Sequence, residues 1–250
     1  MNEARTEKRV AIVQSNYVPW KGYFDLMSQA DEMILLDDVQ YTRRDWRNRN
    51  RIKTREGIRW MTVPVRVRGR YTQRVDETEI SDPSWAERHW ATLRNSYARA
   101  PCFSEVAESI EHLYAGCASP LLTEVNEHLL RGLNDLLHVS TPISRSVNVP
   151  LVTNPTERLV RLCRGAGATE YLTGPSSWAY LRQELFTRAG ISVATMTYGD
   201  YPGYPQLHGP FEDRVSVLDV LFHTGRDAHL YIRPRSSAPA SNESTPPHPS

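Results

Sequence analysis

Two short apolar runs, Val10 to Val13 and Met33 to Leu36, bracket a stretch with helical spacing. Tyr23 and Met27, and Leu26 and Ala30, fall on one side of that stretch. Each run stops abruptly at polar residues, the first at Gln14 and the second at Asp37 and Asp38. Strand, helix and strand in so few residues predict a parallel βαβ unit. Both strands of such a unit end at the same sheet edge, where open α/β folds bind ligands. The rim is therefore expected to gather Gln14, Tyr17, Asp37, Asp38 and the Arg/Asn string that follows them. A loop with Pro19 and Trp20 leaves the first strand. Gln40, Trp46 and the string Arg47 to Lys53 follow the second.

At 250 residues the chain can bury a substantial core. A net charge of +1 gives no global support to nucleic-acid binding. Charge is uneven, however. Twelve Arg or Lys residues lie between Arg43 and Arg74, against Asp45 and Glu56. That excess is either a solvated basic face or an anion site. Three widely spaced cysteines, Cys102, Cys117 and Cys163, exclude a disulfide scaffold and a CxxC zinc site. No apolar run is long enough to span a membrane. The charged start lacks an export core, so the expected location is cytoplasmic.

The remaining pattern predicts an α/β fold, a mostly parallel sheet with flanking helices and an inserted helical subdomain at about 82–140. One domain is expected over 9–232, after a loose lead at 1–8. Ile58 to Val65 reads as a strand, and 66–80 as a hairpin around Gly69. Trp85, His89, Leu93 and Tyr97 recur at helical intervals behind Asp82-Pro83-Ser84. Further strands are expected at 143–149, 170–173 and 191–197. Helices are expected at 155–165 and 178–189, and a last one from Val215 with a stop at Gly225. From Arg233 to Ser250, ten of eighteen residues are Pro or Ser, a composition that predicts disorder.

Several residue types in this arrangement point to chemistry. Asp37 and Asp38 are neighbours and point to opposite faces if extended. One enters the site as a base or hydrogen-bonding group while the other caps a turn; paired acids also suit magnesium beside a phosphate. Gln14, Asn16, Tyr17 and Tyr23 are candidates for substrate contact, and Gln40 joins them at the rim. Trp20 and Trp46 are core residues or stacking platforms. Arg49, Arg51 and Lys53 alternate, share one face and suit a phosphate or carboxylate. Asn48 and Asn50 take the inward face. His89 is a satisfied core histidine or a general base. His208, in the turn-rich loop 198–209, is the better catalytic candidate, with Asp37 and Tyr17 as its partners. If the strand before that loop is parallel to the first two, all three share one pocket. Cys163 reads as buried, and no GxSxG elbow is present.

The strings QSNYVPWKGYFDLM, LDDVQY, WRNRNRIK and WMTVPV, with ERLVRLCRGAGATEYLTGP and YPQLHGPFEDRVSVLDVLFHTG later, resemble the WbqC-like family over about 9–232. That resemblance implies a role in O-antigen or other sugar pathways. It implies transfer of an acyl or aminoacyl group, such as glycyl, to an amine of a sugar or small metabolite. The expected partner is a small molecule, phosphate-bearing or carrier-linked, with an aminoacyl-tRNA donor as the one nucleic acid compatible with it. No cofactor and no metal are assigned.

A fainter similarity, in Gly22 to Leu26, Ala30-Asp31 and Leu36-Asp37, is to the cytidylyltransferase-like fold. The HxGH pair of that fold is absent, and Tyr17 and Tyr23 stand in its neighbourhood. No GxGxxG or GxxxxGK[ST] stretch occurs. A nucleotide-dependent enzyme and a non-catalytic sugar- or nucleotide-binding protein are the alternatives to acyl transfer.

Overall fold

β1 (Arg9–Val13) and β2 (Glu32–Leu35) pair in parallel across α1 (Lys21–Ser28), with Ala11 opposite Met33 and Val13 opposite Leu35. The computed structural model describes residues 7–146, 154–178, 181–199 and 201–232. β5 (Ile143–Arg145) adds beyond β2, and β6 (Glu170–Thr173) and β7 (Ser192–Thr195) add beyond β1. All are parallel, in the order β5-β2-β1-β6-β7. The chain builds outward from β1 on one side, then returns to build on the other. That reversal opens a crevice between the loops after β1 and β6, where doubly wound sheets bind ligands.

Strand residues alternate between two cores, which explains why the runs are apolar without a break. Val10, Ile12 and Ile34 pack with Val160, Leu162, Cys163 and Phe186 of α5 (Pro155–Gly165) and α7 (Gln183–Arg188). Ala11, Met33 and Leu35 face α1 and the three helices α2 (Trp85–Tyr97), α3 (Phe103–Ala115) and α4 (Leu122–Leu136). The inserted helices thus share a core with one face of the sheet. α5 starts where Asn154 accepts from the N–H groups of Thr156 and Glu157 and Pro155 follows it. α8 (Val217–Thr224) is capped by Ser216 and ends at Gly225, φ 57.

Several boundaries differ from expectation. The basic string does not merely run extended. β3 (Arg49–Thr54) forms an antiparallel hairpin with β4 (Gly57–Thr62), Arg51 opposite Trp60. The hairpin expected around Gly69 does not form. Val65 and Ile80 make one isolated bridge, and Val75–Glu77 is a 3₁₀ turn. There the backbone pairs with the start of α4 instead: Ile80 N–H donates to Pro120 O and Leu122 N–H to Thr78 O. The helix expected at 178–189 is split into α6 (Pro175–Trp178) and α7. The strand expected at 143–149 ends at Arg145, and 147–149 lie outside the described residues. Lys8, assigned to a loose lead, is anchored to Glu32 at 2.7 Å. The expected disordered tail, 233–250, also lies outside the described residues.

Candidate functional site

The loop after β1 is held in a shape the backbone alone resists. Val18 sits at φ 34, an uncommon conformation for a β-branched residue. Its carbonyl accepts from Asn50 Nδ2 at 2.9 Å and Ser216 Oγ at 2.7 Å. Asn50 also reaches the Tyr17 carbonyl at 3.2 Å, and Tyr17 N–H donates to Trp46 O at 3.0 Å. The Tyr17 side chain points into the core, its hydroxyl 2.7 Å from both His89 Nδ1 and Tyr114 Oη. β3 and the start of α8 therefore clamp a loop already anchored by a buried phenol.

This clamp frames a cleft of about 360 Å³ at the C-terminal edge of the sheet. The β1 loop contributes Asn16, Pro19 and Trp20; the hairpin and the loop before it contribute Trp46, Asn50 and Arg51. Tyr198, just past β7, and Arg214, before α8, complete the wall. The Trp20 and Tyr198 rings lie 5.4 Å apart. Trp20 can fold over the first turn of α1 only because the helix has a glycine there. A Cβ on Gly22 would collide with the indole. Arg51 Nη2 donates to the Arg214 carbonyl at 2.5 Å. Arg47 holds the Asn16 amide oxygen. Burial pushes the Tyr198 phenol up to about 12, aided by the Asp25 carboxylate, so it stays protonated. The wall thus combines aromatic faces with hydrogen-bond donors.

Behind the wall, charged groups fix the loop that carries Arg214. Lys21 is fully buried, paired with Asp213 and surrounded by the rings of Tyr201, Tyr204 and Phe211. Lys53 does not share the anion-binding face expected for it with Arg49 and Arg51. Its ammonium instead donates to Gln206 Oε1 at 2.9 Å and Pro210 O at 2.6 Å. Gln206 passes the connection to Asp219 at 2.8 Å, which also accepts from Tyr97 and Tyr204. His223 Nε2 accepts from Leu207 N–H at 2.9 Å, so its proton is on Nδ1, facing the Asp219 carbonyl.

Of the residues singled out from sequence, Asn16, Trp20, Trp46, Asn50 and Arg51 line the cleft. The expected convergence of Tyr17, Asp37 and His208 does not occur at this cleft. Asp37 accepts from Ser15 N–H at 2.8 Å and from the Thr123 hydroxyl, tying the β1 loop to α4. Asp38 is buried against Arg158 and accepts from Ser146 Oγ at 2.7 Å. The two acids do point to different partners, but both serve internal structure. His208 stands in the left-handed region, φ 66, in the loop before α8. Burial lowers His89 to about 4. Its Nδ1 and the Tyr17 hydroxyl are hydrogen-bonded to each other inside the core, and neither lines the cleft. Tyr23 donates to Gln14 O at 3.2 Å. Asn48 donates to Val63 O at 2.8 Å, and Gln40 to Tyr71 O at 3.0 Å. Arg49 lies over Trp60, 4.2 Å from its ring centre.

The residues missed from sequence are Tyr198, Arg214, Lys21 and Asp213. Tyr198 had a signal, since it closely follows a strand that is parallel to β1. Arg214 and Asp213 lie in a loop whose pairing with β3 and α1 leaves no local pattern. Among the described residues, no group of three or more His, Cys, Asp or Glu is placed to hold a metal ion. No described helix is long and apolar enough to cross a membrane.

A family model described as the WbqC-like protein family matches residues 14–231. The uncharacterized protein Rv1507c of Mycobacterium tuberculosis is 46% identical over 226 residues, covering 90% of this chain and 98% of that protein. No solved structure matches.

Proposed function

The chain belongs to the WbqC-like protein family, and from that premise we propose that it transfers an acyl or aminoacyl group to an amine on an anionic, ring-bearing small molecule. An amino sugar carrying a phosphate is the substrate class that fits. The observation that carries this reading is the wall of one cleft, where Arg51 and Arg214 stand with Trp20, Trp46 and Tyr198. Arginine forks suit phosphate and carboxylate oxygens. Aromatic faces cover the apolar face of a ring, and few well-placed polar groups set its orientation.

The reaction class rests on the family resemblance, and the donor-rich wall is compatible with it. The amine nitrogen adds to the acyl carbonyl carbon and negative charge develops on oxygen. An arginine of the wall supplies donors for such charge. The C–N bond then forms fully, the bond from carbon to the leaving group breaks, and the amine proton ends on the leaving group.

A second reading, recognition without turnover, is favoured by one observation. No carboxylate or imidazole is among the described residues of the wall. A nucleotide-dependent enzyme is supported only by the doubly wound strand order, and fold does not fix function. The test is incubation of the purified protein with amino-sugar phosphates and activated acyl donors, read by mass spectrometry. A product heavier by the acyl group supports transfer. Binding of the sugar phosphate with no product across donors supports recognition alone. Pyrophosphate released from ATP or CTP supports the nucleotide reading.

A further inference from the structure

The outer face of the β3–β4 hairpin lies largely outside the cleft. Strand alternation sets what it presents. Arg51 faces Trp60 across the ladder and Arg49 faces Thr62, while Asn50, Ile52 and Met61 turn inward and are buried. Trp60 is 43% exposed and Trp46, from the preceding loop, is 41% exposed, with ring centres 5.3 Å apart. Arg49 covers Trp60 at 4.2 Å, and Arg51 stands 5.9 Å from both rings. Two indoles and two guanidinium groups thus form one open platform.

The charge around this platform is not internally cancelled. Arg66, Arg70 and Arg74 are paired with Glu79, Asp76 and Glu77. Arg44, Arg55 and Arg68 are exposed and form no ion pair with any described residue, and neither does Arg59, which lies on the other face of β4. Of the acids nearby, Asp45 pairs with Arg47, and Glu56 sits in the hairpin turn beside Thr54. A positive surface with open aromatic faces is the chemistry that binds single-stranded nucleic acid. Bases stack on the rings, and phosphates meet the arginines. A second copy of the same face would set arginine against arginine.

We propose that the outer face of the β3–β4 hairpin, centred on Trp60 and Arg49, is a docking surface for single-stranded nucleic acid. The overall charge of +1 does not oppose this, because the relevant charge is local. Trp46 and Arg51 belong both to this face and to the cleft, so a docked strand would run past the cleft mouth.

The test is fluorescence anisotropy of a labelled twelve-nucleotide single-stranded RNA with the full chain at rising salt. Binding is expected to weaken steeply with salt. Trp60→Ala is expected to weaken it about tenfold, as removal of one stacking ring should. Arg49→Gln, which keeps the strand and removes the guanidinium over Trp60, is expected to flatten the salt slope by about 0.7 for each phosphate no longer neutralised. Since Trp60 is not part of the cleft wall, Trp60→Ala should still bind a sugar phosphate as wild type does, which separates this surface from the proposed reaction. No RNA binding at low salt, undiminished binding by Trp60→Ala, or equal binding of duplex RNA would each overturn the proposal. A wild-type dimer that Trp60→Ala dissociates would assign the face to a second copy and also overturn it.

Discussion

The Arg51 guanidinium donates to the backbone carbonyl of Arg214 at 2.5 Å, joining the basic hairpin to the segment that leads into α8. One nitrogen of the fork orders the wall of the cleft that Arg51 lines. Lysine keeps the charge but has a single ammonium, so Arg51→Lys cannot both make that bond and grip an anion. The expected result is a loss of affinity for a sugar phosphate of about tenfold, since a hydrogen bond to a charged group contributes roughly 1.5–3 kcal/mol. Calorimetric titration checks it, and the thermal midpoint should move little.

Gly22→Ala separates two opposed effects. Alanine inside a helix is favoured over glycine by about 1 kcal/mol. Here its Cβ would meet the Trp20 ring, so the indole must leave its place in the cleft. Gly22→Ala is expected to destabilise the fold and weaken ligand binding. In a Trp20→Ala background the same change should stabilise. A double-mutant cycle in chemical denaturation measures this, and additivity would show that the contact does not matter.

Lys21 and Asp213 are unequal partners. The lysine is buried, whereas Asp213 keeps 41% of its side chain exposed. Removing Asp213 leaves an ammonium with only ring faces around it, while removing Lys21 leaves a carboxylate that water can reach. Asp213→Ala is therefore expected to cost more stability than Lys21→Met, by about 1–2 kcal/mol. Urea unfolding of the two variants checks the order, and the reverse order would contradict it.

His89 makes stability depend on pH. Its folded value is lowered to about 4 from 6.5, so the unfolded chain takes the proton first as pH falls. Its contribution is complete above pH 6.5 and is lost progressively down to about pH 4. At pH 5 the loss is at most about 2 kcal/mol. Between pH 7 and pH 5, His89→Gln is expected to lose less stability than wild type. Equal losses in thermal denaturation would show that His89 does not titrate this way.

The β1–α1–β2 unit was legible because two-sided burial makes its strands apolar throughout. The strand before Tyr198 was legible from Ile191 and Met196, which are buried at its two ends although β7 itself is a half-exposed edge strand, and the cleft edge followed from both. β3 was hidden by its own composition. In RNRIKT only Ile52 is apolar, since its outer face is arginine and Lys53 is buried through Gln206 and Pro210. Asp37 and Tyr17 misled for a related reason. Polar residues at a strand end read as a site, but these spend their hydrogen bonds on Ser15, Thr123, His89 and Tyr114. Arg214 became part of the wall by pairing with a residue 163 positions away in sequence, which local patterns do not carry.

The most direct measurement is calorimetric titration of an amino sugar and its phosphate into wild type and into Arg51→Ala/Arg214→Ala. The expected result is tighter binding of the phosphate to wild type, by about tenfold or more, with that preference abolished in the double variant while the fold persists. Equal affinity for the two sugars in wild type, or an undiminished preference in the double variant, would contradict an anion-binding cleft at Arg51 and Arg214.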